Sequence, residues 1–169
     1  DDPSQSKHIT YRQLHDEVCK MANILRTRNV QKGDRVTIYL PMTPEPAYAM
    51  LACARLGAIH SVVFGGFAAN ELAKRINDAT PKLIVSASCG IEPTRVIEYK
   101  PLLDEAIRLA TAKPERCIIL QRPQARATLV AGRDLDWDEA MTGAVPHPCV
   151  PVTATGLIFP RKMLLASNW

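Results

Sequence analysis

Two short stretches combine residue types and spacing suited to holding an anion. Phe64-Gly65-Gly66-Phe67 falls where an apolar run ends and a helical pattern begins. Paired glycines there let the backbone approach a ligand closely, and the N-terminus of the following helix favours negative charge. The same glycines would serve a tight strand-to-helix turn equally well. Glu92-Pro93-Thr94-Arg95 follows another apolar run. A proline-stiffened loop of this kind can offer phosphate oxygens a guanidinium in fork geometry. A solvated surface arginine is the plainer reading.

The remaining reactive side chains form no recognisable constellation. GxGxxG is absent, which argues against a dinucleotide-binding module, and so are GxxxxGK[ST] and any Ser/Thr/Gly-rich loop ending in lysine. His8, His15, His60 and His147 are dispersed, without a metal-ligand partner three or four residues on. His60, set in an apolar run, reads as a structural histidine. Asp134, Asp136, Asp138 and Glu139 surround Trp137. Carboxylates at a helix start account for them more simply than a metal does. No catalytic, ATP-binding or metal-ligating residue is therefore assigned. The cysteines, Cys19, Cys53, Cys89, Cys117 and Cys149, are odd in number and lack CxxC spacing, so neither a zinc knuckle nor a disulfide framework is expected. Free thiols fit a reducing compartment. The methionines read as core and gap filling.

These residues need a scaffold, and the chain spells one out by alternation. Thr10 caps a helical pattern carried by Tyr11, Leu14, Val18, Met21, Ala22 and Leu25. Gly33-Asp34 turns into a strand over 36–40, broken by Pro41 and Pro44. A second helix has Tyr48, Leu51, Cys53 and Ala54 among its inward candidates and ends at Gly57. Residues 59–64 read as a strand buried on both faces. Ala69, Leu72, Ala73 and Ile76 mark a third helix, and 83–85 a third strand. Residues 86–100 read as a loop rich in Ser, Gly and Pro. Pro101 opens a fourth helix, 117–120 is a fourth strand, and 134–141 is a short acidic helix. Such an order predicts an α/β domain with a largely parallel sheet, whose ligand loops gather at the carboxyl ends of the strands. Among 169 residues, 47% are hydrophobic and 22% charged, an ordinary globular balance. The net charge of +4 is scattered, and aromatics are only 5%, so a nucleic-acid surface is poorly supported. No apolar run approaches the ~20 residues that span a bilayer, and no secretory signal is seen.

Several stretches together resemble the amino-terminal part of the AMP-forming short-chain acyl-CoA synthetases, within the adenylate-forming superfamily. They are Ile9-Thr10-Tyr11, Gly33-Asp34-Arg35-Val36 leading into Tyr39-Leu40-Pro41-Met42, and LACARLGAIHSVVFGGF over 51–67. Ser88-Cys89-Gly90-Ile91-Glu92-Pro93 and Gly132-Arg133-Asp134-Leu135-Asp136-Trp137-Asp138-Glu139 also match, the latter pointing to the propionyl-CoA branch. The resemblance implies a partial amino-terminal subdomain of such an enzyme. In that chemistry a carboxylate attacks the α-phosphorus of ATP, with magnesium, giving an acyl-adenylate and diphosphate. The thiol of coenzyme A then displaces AMP. It also implies that Gly65, Gly66, Glu92, Pro93, Thr94 and Arg95 lie where the nucleotide end of coenzyme A is received, Arg95 contacting its phosphates. Thr94 stands where relatives commonly have glycine, and Val96 where close relatives can carry a second arginine.

The resemblance covers about 9–152. It sets expectations of a leader remnant over 1–9, a partial AMP-binding domain over 10–152 and a divergent tail over 153–169. The family's Y-T-S-G-T-T-G-x-P-K-G loop, acyl pocket and carboxy-terminal catalytic lysine are not found in the 169 residues. The chain alone is accordingly expected to be inactive. A non-catalytic role, binding coenzyme A weakly or associating with the full-length enzyme, is the alternative. The small-molecule substrates implied are propionate or a similar short acid, ATP and coenzyme A. The implied location is the mitochondrial matrix for a eukaryotic source and the cytoplasm otherwise.

Overall fold

The computed structural model describes residues 6–146. The divergent tail, His147 and Cys149 lie outside them, as do residues 1–5 of the leader remnant. The elements alternate as α1 (Tyr11–Thr27), β1 (Arg35–Tyr39), α2 (Glu45–Leu56), β2 (Ile59–Val62), α3 (Ala69–Ala79) and β3 (Leu83–Ala87). They continue as β4 (Cys89–Glu92), β5 (Arg95–Glu98), α4 (Tyr99–Leu109), β6 (Arg116–Leu120), β7 (Asp134–Asp136) and α5 (Trp137–Thr142).

Five strands form one sheet in the order β2-β1-β3-β6-β7, every neighbouring pair parallel. α1 packs on α2 and α5, whereas α3 packs on α4. Right-handed crossovers explain this division. The chain moves outward from β1 to β2 through α2, then reverses across β1 to reach β3 through α3. Reversal sends the two helices to opposite faces. It also places the topological switch point between β1 and β3, the position where sheets of this kind hold ligands.

Local chemistry supports the elements. Thr10 and Gln13 form a reciprocal capping box at the start of α1. Gly57 closes α2 in the left-handed region at φ +70°. Asp136 caps α5 by accepting from the backbone N–H of Asp138 and Glu139, so the Asp138 and Glu139 carboxylates do sit in a first helical turn. Central strands β1, β3 and β6 are buried along nearly their whole length, as continuous apolar runs in a parallel sheet should be.

Several sequence expectations need correction. The 59–64 run is an edge strand, Ile59–Val62, half-buried up to Ser61 and exposed at Val62, and Phe64 beyond it is 69% exposed. Leu51 points outward from α2 and Met42 is 88% exposed, so apolar identity alone misplaced both. The supposed loop over 86–100 holds the end of β3 and an antiparallel hairpin, β4–β5, whose Ser, Gly and Pro content masked its alternation. α4 begins at Tyr99, with Pro101 accommodated in its first turn, where no intrahelical N–H bond is needed. The acidic segment begins as strand β7, and only Trp137–Thr142 is helical.

Four cysteines, Cys19, Cys53, Cys89 and Cys117, are buried and unpaired. Burial pushes the Cys53 and Cys117 thiols up to about 12. Iodoacetamide labelling at pH 8, mapped by peptide mass, is expected to leave both unmodified in the folded chain and to modify both in urea. Labelling at similar rates in the two states would contradict this packing.

Candidate functional site

The loops at the carboxyl ends of β1, β2 and β3 meet around two tyrosines. Tyr39, the last residue of β1, is wholly buried, and Tyr99, at the start of α4, is 5% exposed. Their rings stack with centroids 4.8 Å apart and planes 27° from parallel. The Tyr39 hydroxyl donates to the Phe67 carbonyl at 3.2 Å, tying β1 to the glycine turn. Burial pushes the Tyr39 phenol up to about 12, so it stays a neutral donor at physiological pH.

The two predicted glycines differ in what they do. Gly66 is exposed and lies at φ +103°, where a side chain would be strained but meets nothing within 4 Å. That open backbone suits close approach by a ligand. Gly65 faces the other way energetically: a Cβ there would fall 2.2 Å from the Tyr99 hydroxyl oxygen. Gly90 in β4 makes the same contact, with a Cβ 2.5 Å from that oxygen. Gly65 is therefore needed for packing against Tyr99, not for ligand contact on that face.

Glu92, Pro93, Thr94 and Arg95 form the tip of the hairpin. Glu92 ends β4, Arg95 opens β5 directly opposite, and Pro93-Thr94 is the exposed turn between them. Arg95 Nε donates to Glu92 Oε2 at 2.8 Å, with the side chains 68% and 45% exposed. Such an exposed pair is weak and yields readily to a stronger anion. The structure brings this hairpin beside the glycine turn through Tyr99.

Sequence reasoning missed the groups that hold this arrangement. Tyr39 sat at a strand end and Tyr99 in a presumed loop, so neither carried a pattern. Ser88, 1% exposed, donates its N–H to the Leu120 carbonyl at 2.8 Å. Its carbonyl accepts from the N–H of Tyr99 at 2.9 Å, and its Oγ from the N–H of Arg122 at 2.9 Å. One serine thus fastens the hairpin base to the end of β6. Below it, Lys100 Nζ meets Asp104 at 2.6 Å and Asp134 at 3.0 Å, and Arg133 donates to Asp134 at 2.7 Å and also pairs with Asp104. A cleft of about 350 Å³ beside the hairpin base is lined by Ser88, Glu98, Lys100, Asp104, Arg126 and Thr128, among others. The Lys100 amine on its wall is already engaged by two carboxylates.

Elsewhere, burial lowers the His60 imidazole, which favours the neutral ring of a structural histidine. No group of three or more His, Cys, Asp or Glu among the described residues could hold a metal ion. No described helix is long and apolar enough to cross a membrane.

The sequence pattern of the AMP-binding enzyme family matches residues 2–158. The chain belongs to the AMP-binding enzyme family. A mitochondrial acyl-CoA synthetase short-chain family member 3 from Rattus norvegicus is 53% identical over 145 residues, 85% of this chain and 21% of that protein. An acetyl-coenzyme A synthetase from Bradyrhizobium diazoefficiens is 56% identical over 140 residues, 83% of this chain and 22% of its own length. The structure of acetoacetyl-CoA synthetase from Streptomyces lividans superposes with a TM-score of 0.74 over 86% of this chain and 22% of that one, at 22% identity. That likeness establishes the fold, a mostly parallel sheet flanked by helices. The chain spans between a fifth and a quarter of the length of these relatives.

Proposed function

We propose that this segment serves a propionate-type CoA ligase by receiving the nucleotide end of coenzyme A. The overall reaction is carboxylate, ATP and coenzyme A going to acyl-CoA, AMP and diphosphate through an acyl-adenylate. The observation that supports the reading is that the glycine turn, at Gly65, and the Arg95 hairpin, at Gly90, both border the Tyr99 ring at the carboxyl edge of the sheet. When bound, coenzyme A supplies the thiol that displaces AMP. The residues here supply binding: Arg95 exchanges the Glu92 carboxylate for a phosphate, Gly66 admits the ligand against the main chain, and Pro93 stiffens the turn between Glu92 and Arg95.

Charge-assisted contacts of this kind are worth about 1.5–3 kcal/mol, so Arg95→Ala should weaken coenzyme A binding by about tenfold or more. Isothermal titration of the purified chain with coenzyme A measures it, and equal affinity for the two proteins would refute the assignment. The 169-residue chain on its own is proposed to be inactive, because its sequence holds no lysine-terminated phosphate loop. Incubation with propionate, ATP, magnesium and coenzyme A should yield no propionyl-CoA. Propionate preference rests on the Gly132–Glu139 stretch. A longer polypeptide carrying it should show a higher kcat/KM for propionate than for acetate. For a eukaryotic source the mitochondrial matrix is the proposed location.

A further inference from the structure

The switch point between β1 and β3 is where a sheet of this topology opens a ligand crevice, yet here the protein fills it with its own aromatic stack. Tyr39 ends β1 opposite Ser86 of β3, and Tyr99 lies against it. Beyond the stack, the Tyr99 hydroxyl is wedged between two backbones from different loops. On one side is Gly65 of the turn after β2, and on the other Gly90 of the hairpin after β3. Neither glycine could carry even a methyl group without displacing the ring. The turn and the hairpin thus each dispense with a side chain at the point where the same phenol passes.

We propose that Tyr99 is a positioning residue for coenzyme A, its ring acting as a spacer that sets the separation between the Gly66 turn and the Arg95 hairpin. This rests on the coenzyme A reading of those two loops. The geometry is particular. Gly90 lies opposite Ile97 in the hairpin register, one pair below Ile91 and Val96 and two below Glu92 and Arg95. A ring held against Gly90 therefore fixes the hairpin close to its tip. The other contact, Gly65, adjoins Gly66, so the same ring fixes the turn one residue from its open backbone. Tyr39 adds a second fastening by bonding to the Phe67 carbonyl on the far side of that turn. Burial and the nearby Glu92 carboxylate both raise the Tyr99 phenol, in keeping with a neutral hydroxyl close to the tip. Tyr99 itself is too buried to be the ligand contact, and it acts through the residues it separates.

The experiment is titration of coenzyme A into the full 169-residue chain and its variants, with a thermal melt of each. Small misplacements of paired binding groups are costly, so Tyr99→Leu is expected to weaken binding about tenfold while still giving a cooperative melt. Tyr99→Phe, which keeps the spacer, should bind within about twofold of the parent, which a role for the hydroxyl as ligand contact would not permit. In an Arg95→Ala background, Tyr99→Leu should change the affinity by less than about twofold, because the group it positions is gone. If Tyr99→Leu does not fold, Gly90→Ala decides: pressing on the same ring, it should weaken binding as Tyr99→Leu would. Parent-like affinity in folded Tyr99→Leu or folded Gly90→Ala overturns the spacer and leaves the coenzyme A reading standing. No binding by the folded parent chain overturns both.

Discussion

Replacing Asp134 with asparagine is expected to remove about 3–5 kcal/mol of folding stability at neutral pH, the cost of stripping one charge from a buried network. The Asp134 side chain has 0% exposure and takes Lys100 on one oxygen, at 3.0 Å, and Arg133 on both. The backbone N–H of Val130 adds a further bond at 2.8 Å. Lys100 is itself 3% exposed, so taking away a carboxylate that faces it leaves a buried ammonium short of a partner. Burial alone would raise the Asp134 carboxyl. The bonds from Arg133, Val130 and Lys100 outweigh it and hold the group below its ordinary value.

That direction sets the pH dependence. A carboxyl depressed in the folded state stabilises the fold above its unfolded value of about 3.9, and the contribution is lost as pH falls through the folded value. The gap between parent and Asp134→Asn should therefore be widest near neutrality and should shrink as the parent's own carboxyl protonates. Urea denaturation at pH 7 and at about pH 3 reads both quantities. A loss under about 1 kcal/mol at pH 7 would mean that the network is not the fastening of β7 that its geometry indicates.

The second large effect is expected at Tyr39. Removing a wholly buried aromatic ring by Tyr39→Ala should cost about 3–5 kcal/mol, from lost burial and the cavity left behind. It would also strip Tyr99 of its stacking partner and free the turn at Phe67. Tyr39→Phe isolates the hydroxyl and should cost about 1 kcal/mol, the usual net worth of one hydrogen bond. Because burial raises the phenol to about 12, the unfolded chain ionises first in alkali. Stability should hold below the unfolded value of about 10 and fall as pH rises toward 12. Equal melting points for Tyr39→Ala and Tyr39→Phe would remove the ring from this role.

The sequence by itself determined the class of fold, because hydrophobic periodicity is a local property. The runs that became β1, β3 and β6 are largely apolar, since both their faces are covered, and Thr10 and Gly57 mark helix ends with chemistry confined to a few residues. The family was legible for the same reason, in contiguous stretches such as 51–67. Local patterns do not say which strand lies at an edge. Ile59–Val62 looks as apolar as a central strand, and only the order β2-β1-β3-β6-β7 leaves its outer side uncovered.

The hairpin escaped for a related reason. Antiparallel pairing across Pro93-Thr94 is stabilised by partners in register, whereas composition registered only Ser, Gly and Pro. The candidate site shows the division most clearly. Gly65 and Gly66 are adjacent and identical in type, and nothing in the sequence separates their roles. Tyr99, brought in from 34 positions along the chain by the crossover through α3 and β3, occupies the space beside Gly65 and leaves Gly66 open. The same is true of Asp134, which sequence grouped with the helix-capping carboxylates. The sheet lays it beside Cys117 of β6 and within reach of Lys100, making it the buried centre of an ion network. Such contacts depend on which distant segments are brought together, and only the tertiary structure decides that.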